Sequence, residues 1–460
     1  MWDLKIIDTD KSIYIAIADA IERDIRLGIL NAGDKMPTHR ALAKTVGVNV
    51  TTITRAYQEA EKRGLVTSTI GRGTFITSDL GKNSSLINTA NNEKKLIEMG
   101  LVLPLSSMEP DIRSLISNIL RKNDINSFMT YTLPQGLYKH RETGSRWMKQ
   151  FGVYADPENI IITAGAQHAL NCILSSVFQL GDCIAVGCLT YPGIKTASKR
   201  CGIHLEGIQT DSEGIIPQEL KTACNRNEIR GIYAVSAMQN PTNSAMSEQR
   251  RIELAEIVEE YNLILIEDDL YSFLSTGESH TLTQLIPEHS IYISSISKAF
   301  YAGLRISFTA APRRFCSRIS QAVVDTIWMA PALNAEIACE CINCGLADKI
   351  IELKRVEIRK RAQLMEEKLG VYDLCYAQNS MFAWLKLPDY WSSSSLFEKA
   401  AEENGLHVIS SDKFTVGSFI PPNYVRLSLT GTDSITEFEY GLHVVSKLLS
   451  HEIGSAAGIL

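Results

Sequence analysis

The sequence predicts a multidomain protein in which a mainly helical N-terminal unit precedes a larger α/β unit. Its 460 residues exceed the usual size of one compact core, so several domains are expected. Three helix-length amphipathic segments and a hairpin pattern fill residues 1–78, whereas strand-length apolar runs alternate with helical segments from about residue 104. These observations place a connector over residues 79–103.

The composition is that of a globular protein, with 45% apolar and 21% charged residues. No apolar run reaches the roughly 18 residues of a membrane-spanning helix, and the acidic N-terminus lacks the pattern of a signal peptide. Ten cysteines without framework spacing favour the reducing cytoplasm. The net charge of −6 hides an uneven distribution, because residues 1–78 hold 11 basic and 9 acidic side chains.

The first 78 residues follow the order of elements in a winged helix-turn-helix. Helical spacing of apolar residues predicts helices over residues 13–27, 39–46 and 51–63, with Gly28 ending the first. Two β-rich runs then flank Gly71-Arg72-Gly73, which predicts a hairpin. In this arrangement the third helix enters the DNA major groove and the hairpin forms the wing.

The third helix presents a polar face suited to DNA. Hydroxyl, amide and cationic side chains can contact phosphates and base edges. The alternative is a solvated face on a purely structural three-helix unit. The side chains of this face are Thr51, Thr52, Thr54, Arg55, Gln58 and Lys62.

Residues 28–76 resemble the DNA-binding domain of the GntR family of bacterial repressors. They match its blocks G-x-x-L-P-S-x-R-x-L-A, G-V-x-x-x-T-V-x-x-A-Y and G-L-V-x-x-x-x-G-x-G-T-F. The resemblance implies that Arg40 contacts DNA near the second helix and that Arg72 lies at the wing tip. The family often has arginine where this chain has Val50. Base contacts are therefore expected from Thr51, Thr52 and Arg55.

The connector over residues 79–103 is polar, rich in Asn and Ser, and shows little periodicity. That composition is typical of a flexible linker, so we expect the DNA-binding domain to move relative to the rest of the chain.

The remainder of the chain predicts a mainly parallel sheet, because apolar runs of strand length alternate with helical segments. Functional residues of such sheets lie at the carboxyl ends of the strands. The runs are Ile160–Thr163, Cys183–Gly187, Gly231–Ser236, Leu263–Asp268, Ile291–Ser295 and Arg305–Ala310.

A distinct set of polar residues follows these strands. A helix start offers free N–H groups to a phosphate, a lysine can form a Schiff base, and a carboxylate can pair with a pyridinium nitrogen. An isolated lysine would be a surface residue, but the ordered set predicts a pyridoxal phosphate pocket. Its members are Gly165, Ala166, Gln167, Asn240, Asp268, Tyr271, Lys298 and Arg305.

Residues 104–450 resemble the fold type I aminotransferases of class I/II, and SISKAFYAGLR is similar to their S-x-S-K-x-x-x-x-G-x-R motif. The resemblance implies an α/β pyridoxal-phosphate-dependent transferase fold with a large domain over residues 104–335. A smaller C-terminal α+β domain would span residues 336–452. Lys298 would be the Schiff-base lysine.

The resemblance also assigns the remaining cofactor contacts. Ser295 and Arg305, with the amides of Ala166 and Gln167, would hold the phosphate, and Tyr191 would stack on the ring. The ring nitrogen would pair with Asp268, for which Asp269 is the competing candidate. The ring hydroxyl oxygen would bind Asn240 and Tyr271.

Two further matches imply partners. Tyr131 matches a tyrosine that often reaches the phosphate of the partner subunit, which implies a homodimer. Arg426 matches the arginine that binds the substrate α-carboxylate in a bidentate pair. Asn243 replaces the glycine of the N-P-T-G motif, and asparagine is the best substitute if that turn needs a positive φ. For the CECINC cysteines we expect free thiols and no metal site.

A GntR-type domain joined to an aminotransferase-like domain is the architecture of the MocR subfamily of GntR regulators. The resemblance implies a cytoplasmic transcription regulator that binds an operator in double-stranded DNA. Its effector would be an amine, an amino acid or pyridoxal phosphate itself, sensed through aldimine formation on Lys298, with at most weak transaminase activity. The alternatives are an active aminotransferase with an accessory N-terminal domain, and a regulator that has lost its cofactor.

Overall fold

The computed structural model describes residues 12–26, 29–30, 34–63, 65–69, 73–76, 96–122, 124–275 and 281–450. Its N-terminal unit is the winged helix-turn-helix that the sequence predicts. Gly28, Arg72, most of the connector and the C-terminal tail lie outside the described residues. The elements of this unit are α1 (Ile13–Arg26), α2 (His39–Val46), α3 (Val50–Lys62) and the antiparallel strands β1 (Val66–Thr69) and β2 (Gly73–Ile76).

Capping residues fix the ends of α2, and a cluster of ion pairs joins α3 to α1. Thr38 accepts a hydrogen bond from the N–H of Ala41 at 3.3 Å, and Gly47 ends α2 with φ +72°. At the end of α3, Arg63 donates to Asp19 of α1 at 2.6 Å and to Glu59 at 2.9 Å. These contacts and the shared apolar core hold α3 against α1 and leave its opposite face exposed.

A short strand and three helices lead into the second unit. They are β3 (Ile97–Glu98), α4 (Arg113–Lys122), α5 (Asn126–Met129) and α6 (Tyr138–Lys149). The large domain then continues with β4 (Ile160–Thr163), α7 (Ala166–Val177), β5 (Cys183–Gly187), α8 (Pro192–Cys201), β6 (His204–Ile208), β7 (Thr210–Asp211), β8 (Gly214–Ile215), α9 (Pro217–Arg226), β9 (Ile229–Ala234), α10 (Glu248–Glu260), β10 (Ile264–Asp269), α11 (Leu282–Leu285), β11 (Ser290–Ser295), β12 (Ser307–Ala310) and α12 (Arg313–Ile327).

The large domain is built on a seven-stranded sheet with the order β4-β12-β11-β10-β9-β5-β6. All neighbouring strands are parallel except β12, which runs antiparallel to both β11 and β4. Helices cover both faces, and the strands are therefore apolar along almost their whole length. This confirms the predicted α/β architecture.

The small domain packs an antiparallel sheet, ordered β13-β14-β17-β16, against three helices. Its elements, with the helix that leads to it, are α13 (Ala332–Asn343), α14 (Leu346–Leu369), β13 (Leu374–Cys375), β14 (Phe382–Lys386), α15 (Ser394–Glu403), β15 (Leu406–His407), β16 (Ile409–Ser410), β17 (Tyr424–Ser428) and α16 (Ile435–Leu449).

The structure differs from the expected domain limits at two places. The connector was expected to run to residue 103, but β3 already pairs in parallel with β15 of the small domain. The limit expected after residue 335 falls inside α13, whose buried face packs in the core of the large domain. Among the described helices, none is long and apolar enough to cross a membrane.

Candidate functional site

The side chains expected to hold a cofactor converge at the carboxyl edge of the large sheet. Asp268 lies near the end of β10, Lys298 follows β11, Asn240 follows β9 and Gly165 follows β4. The charge of Arg426, on β17 of the small domain, is close enough to affect Lys298. The site therefore lies between the two domains, at the strand ends where α/β folds place their ligands.

Lys298 is largely buried, and its Nζ donates a hydrogen bond to the backbone carbonyl of Val102. Burial, together with the positive charges of Arg426 and Arg305, lowers the pKa of Lys298 to about 8. A lysine with that pKa is partly uncharged close to neutral pH, and the uncharged amine is the form that attacks an aldehyde.

The two adjacent aspartates of β10 have different partners. Asp269 accepts hydrogen bonds from the N–H of Ser272 at 2.9 Å and from the hydroxyl of Tyr292. Asp268 accepts one from Tyr233 at 2.8 Å, while its Oδ1 is buried and has no partner among the described residues. Burial, with the charge of Asp269, raises the pKa of Asp268 to about 7. Both carboxylate oxygens of Asp269 thus accept hydrogen bonds within the fold, whereas Asp268 keeps one acceptor oxygen for a ligand.

A cationic cradle lies where α7 begins. Gly165 has φ +84°, and a Cβ at this position would lie 2.3 Å from Nη2 of Arg305. Nη1 of Arg305 donates to the hydroxyl of Ser297 at 2.9 Å, and the N–H of Ser297 donates to Ser295 at 3.3 Å. The first N–H groups of α7, from Ala166 onward, have no acceptor within their helix. Together these donors suit a phosphate.

Tyr191 and Gln167 form the wall beside this cradle. The hydroxyl of Tyr191 donates to Oε1 of Gln167 at 3.2 Å, and Nε2 of Gln167 donates to the carbonyl of Gly193 at 3.0 Å. Burial raises the pKa of Tyr191 to about 12, so its ring carries a neutral hydroxyl. A fixed neutral aromatic ring suits stacking on a planar cofactor.

Arg426 is 1% exposed, and its guanidinium carbon lies 4.9 Å from the ring centroid of Phe414 and 5.7 Å from that of Phe382. Its Nη1 donates to Oδ1 of Asn240 at 2.6 Å, and its Nη2 donates to the carbonyl of Gly100 at 2.7 Å. Burial lowers the pKa of Arg426 to about 10, which leaves it charged at neutral pH.

Tyr271 and Asn243 connect the large domain to β14. The ring of Tyr271 packs edge-on against Phe382, with centroids 5.4 Å apart. Asn243 has φ +63°, so the turn does need a positive φ, as considered from the sequence. Its Nδ2 donates to the carbonyl of Phe382 at 2.9 Å, a bond that glycine could not make.

Tyr131 does not join the buried cluster. It is 80% exposed, and its ring packs on that of Trp328, which is 56% exposed, with centroids 5.5 Å apart. Met129 and Leu133 beside it are also mostly exposed. These residues form an apolar surface patch on the second unit.

The sequence interpretation missed four residues of the site. Ser297 and Tyr233 were not singled out, although Ser297 is the second serine of the S-x-S-K motif. Gly100 and Val102 act through backbone carbonyls, which leave no mark in a sequence. They come from a segment assigned to the connector.

Pyridoxal phosphate fits the residues that are present. Asp268 offers an unpaired buried oxygen to a protonated ring nitrogen, and Gly165 lacks the Cβ that would fill the cradle beside Arg305. Lys298 has the lowered pKa that condensation with an aldehyde requires. Each of these features suits a different part of the cofactor.

The N-terminal unit presents a second candidate surface on α3. Thr51 and Arg55 are exposed there, Thr52 is half-buried, and Arg40 is exposed on α2. The hydroxyl of Thr54 donates to the carbonyl of Val50 at 3.0 Å and is thus used within the helix. Val50 itself is 43% exposed. Arg72 and the side chain of Lys62 lie outside the described residues.

Comparison with protein families gives two matches. A profile of the family described as "Aminotransferase class I and II" matches residues 102–439. A profile described as "Bacterial regulatory proteins, gntR family" matches residues 13–76. The two matches together account for both units of the structure.

Individual proteins are similar to most or nearly all of the chain. The HTH-type transcriptional regulator YdeF of Bacillus subtilis is 32% identical over 449 residues, which cover 97% of this chain and 96% of that protein. The HTH-type pyridoxine biosynthesis transcriptional regulator PdxR of Corynebacterium glutamicum is 26% identical over 310 residues, or 65% and 66% of the two chains. An archaeal alanine:glyoxylate aminotransferase superposes with a TM-score of 0.72 at 24% identity, covering 78% of this chain and 91% of that one.

Proposed function

Because the chain belongs to the aminotransferase class I and II family and joins that fold to a GntR-type DNA-binding domain, as MocR-type regulators do, we propose that its second unit senses a small molecule. The chain is a transcription regulator, and the cofactor of its aminotransferase-like domain is pyridoxal phosphate. One observation carries the sensing function: an exposed polar recognition helix and an intact buried Lys298–Asp268 site occur in one chain.

The DNA partner is an operator read by α3. Thr51, Thr52 and Arg55 supply hydrogen bonds to base edges or phosphates, and Arg40 adds a positive charge from α2. Val50 cannot make the arginine contact that is frequent at its position in the family. The operator should therefore differ there from the sites of relatives that carry arginine. A DNA-binding regulator acts in the cytoplasm, which we propose as its compartment.

The chain's own residues would divide the work of holding the cofactor. When bound, pyridoxal phosphate supplies an aldehyde and an electron-accepting ring. Arg305, Ser295, Ser297 and the start of α7 bind the phosphate, and Tyr191 covers the ring. Asp268 keeps the ring nitrogen protonated, since its free Oδ1 accepts that proton's hydrogen bond. Lys298 would supply the protein's own amine for that aldehyde.

The effector would be an amino acid held by Arg426. The planar guanidinium suits a carboxylate, and the two phenylalanine rings fix its orientation. Asn240 is bonded to Arg426 and lies beside the place expected for the ring hydroxyl, so it would link effector and cofactor. Pyridoxal phosphate itself remains the alternative effector.

A homodimer fits the exposed apolar patch of Met129, Tyr131, Leu133 and Trp328. Large apolar side chains clustered at a surface mark interaction sites. If a second copy covers this patch, Tyr131 can reach the phosphate of the partner subunit, as the family resemblance implies. Two DNA-binding units would then be available for paired half-sites.

The sensing function is tested by titrating amino acids against the visible absorption band of the cofactor-loaded protein. The same additions are then made to a complex with the DNA upstream of its gene, followed by fluorescence anisotropy. We expect one or a few amino acids to shift the band and to change DNA affinity at the same concentration. DNA binding that weakens steeply with salt is also expected. Amino acids that shift the band without changing DNA affinity would support an aminotransferase with an accessory N-terminal domain.

A further inference from the structure

The second unit begins with residues 96–105, here called the lead-in segment, which pass directly through the candidate site. In the sequence only residues 77–95 separate this segment from the winged-helix unit. Its first residues form β3. There the N–H groups of Ile97 and Met99 donate to the carbonyls of Gly405 and His407, each at 2.9 Å. The lead-in segment is therefore the part of the second unit that lies nearest in the chain to the DNA-binding domain.

Two backbone carbonyls of the lead-in segment contact the two groups that an amino-acid effector needs. Nη2 of Arg426 donates to Gly100 at 2.7 Å, and Nζ of Lys298 donates to Val102. The approach depends on glycine, since a Cβ on Gly100 would lie 2.9 Å from atoms of both His407 and Ile409. The segment thus contacts the carboxylate-binding and the amine-binding positions together.

One carboxylate shapes this part of the chain. Oε1 of Glu98 accepts the N–H groups of Gly100 and Leu101, each at 2.7 Å, and Nδ1 of His407 lies 2.8 Å from the same oxygen. Burial opposes the charge of Glu98, but His407 and the two N–H groups outweigh it and lower the pKa of Glu98. The charged side chain therefore fixes the turn that aims the Gly100 carbonyl at Arg426.

The hydrogen bonds of Arg426 favour one of its edges for a bound carboxylate. A guanidinium binds a carboxylate at two points along the Nη1–Nη2 edge or the Nε–Nη2 edge, and Nη2 carries one N–H on each of these edges. Arg426 is only 1% exposed. Its Nη1 is bonded to Asn240, whereas its buried Nε has no partner among the described residues, so the Nε–Nη2 edge is the one left for a carboxylate. A carboxylate on that edge needs Nη2 as well as Nε, and Nη2 now contacts the Gly100 carbonyl.

We propose that Glu98 is a positioning residue that holds the lead-in segment in its effector-free path, and that the α-carboxylate of an effector displaces the Gly100 carbonyl from Arg426. This rests on the proposed function, since it requires an effector at this site. Displacement opens the turn held by Glu98 and shifts β3 along β15. The effector is then recognised as an α-amino acid, because an amine without a carboxylate leaves the bond between Gly100 and Arg426 in place.

The first experiment compares L-alanine with ethylamine, which has the same amine and methyl group but no carboxylate. Each is added to the cofactor-loaded full chain, and two quantities are followed: the visible absorption band and the hydrogen exchange of peptides covering residues 96–105. We expect both probes to shift the band. Only L-alanine should accelerate exchange in the lead-in segment, by about tenfold or more.

Each outcome of this comparison has a distinct meaning. If L-alanine shifts the band and leaves exchange over residues 96–105 unchanged, the displacement does not occur. Equal acceleration by ethylamine would also overturn it, because the carboxylate would then have no special part. If neither probe shifts the absorption band, the proposed amine sensing is wrong, and the displacement that depends on it is wrong as well.

The second experiment tests Glu98 through variants of the full chain. Glu98→Ala should accelerate exchange of the Gly100 and Leu101 amides without any probe. Without any probe, the DNA affinity of this variant should also differ at least about fivefold from that of the wild type. The change should have the same direction as the one that saturating L-alanine causes in the wild type. Glu98→Gln keeps an acceptor oxygen for both N–H groups and should restore most of the wild-type behaviour. Glu403→Ala, at an exposed position of α15, is the matched control.

A purely structural role for Glu98 predicts a different result. Glu98→Ala would then lower the melting temperature, while its DNA affinity and its response to L-alanine would equal those of the wild type. That pattern would overturn the assignment of Glu98 as a positioning residue.

Discussion

The candidate DNA-binding surface and the candidate cofactor site differ in how far their side chains are exposed. Thr51 and Arg55 lie exposed on α3, on the side opposite its packed face. Asp268 and Arg426 are each 1% exposed and are bound to neighbours inside the protein. Substitutions on α3 should therefore change affinity with little effect on folding. Those in the cofactor site should alter ligand binding, ionisation and stability together.

The largest expected effect is that of Lys298→Ala, which removes the only amine that the motif places against the cofactor. The visible absorption band of lysine-bound pyridoxal phosphate should be lost completely. DNA binding should persist without its response to amino acids, because α3 does not depend on Lys298. Lys199→Ala, at an exposed position of α8, serves as the control. Loss of DNA binding in Lys298→Ala would show that the two regions are not separable in this way.

Asp268→Asn and Asp269→Asn separate the ligand role from the structural role within one strand. A charge-assisted hydrogen bond contributes about 1.5–3 kcal/mol, so Asp268→Asn should weaken cofactor binding roughly tenfold to hundredfold. Asp269→Asn should mainly lower the melting temperature, because it disturbs the bonds to Ser272 and Tyr292. The measurements are cofactor titration and thermal unfolding. Equal effects of the two substitutions on cofactor affinity would contradict the assignment.

Arg55→Ala tests the exposed surface of α3. If the arginine contacts a base, its loss should cost about 1–3 kcal/mol of binding free energy. If it contacts a phosphate, the slope of log affinity against log salt concentration should become shallower by about one. Anisotropy with the upstream DNA at several salt concentrations measures both quantities. The melting temperature and the absorption band should not change. Arg318→Ala, at an exposed position of α12, should leave DNA affinity unaltered.

The smallest expected effect is a pH dependence of cofactor loading. The pKa of Lys298 is lowered to about 8, so the reactive uncharged fraction increases as the pH rises towards that value. The rate at which the apoprotein forms the absorption band should rise about fivefold between pH 7 and pH 8, then level off. A rate that keeps increasing to the ordinary lysine pKa would show that burial does not depress this group.

The N-terminal unit was predictable nearly element by element. The second helix has the expected bounds, and the third differs by one residue at each end. Its turns are specified locally, by Thr38 as N-cap and Gly47 with positive φ, and its core follows the helical spacing of apolar residues. The sequence pattern marks Arg63 only as the end of a helix, because its partner Asp19 lies 44 residues earlier.

The cofactor site was predictable in its residue types and less so in its contacts. Strand ends in a parallel sheet meet at one edge, so the sequence placed Lys298, Asp268 and Asn240 together. The three-residue spacing to Tyr271 favours Asp268 over Asp269 for the ring nitrogen, but spacing does not show why the roles of the two carboxylates divide. That division depends on Tyr233 and Tyr292, which lie on neighbouring strands and bind one aspartate each.

The sequence by itself determined the two units, the order of their elements and the chemical groups of both candidate sites. These follow from periodicity, capping residues and motif spacing, all of which are local in the chain. Only the tertiary structure decided that the lead-in segment belongs to the cofactor site. Arg426 and Gly100 are 326 residues apart, and the group that meets the arginine is a backbone carbonyl. Every residue carries that same carbonyl, so its position can be known only from the fold.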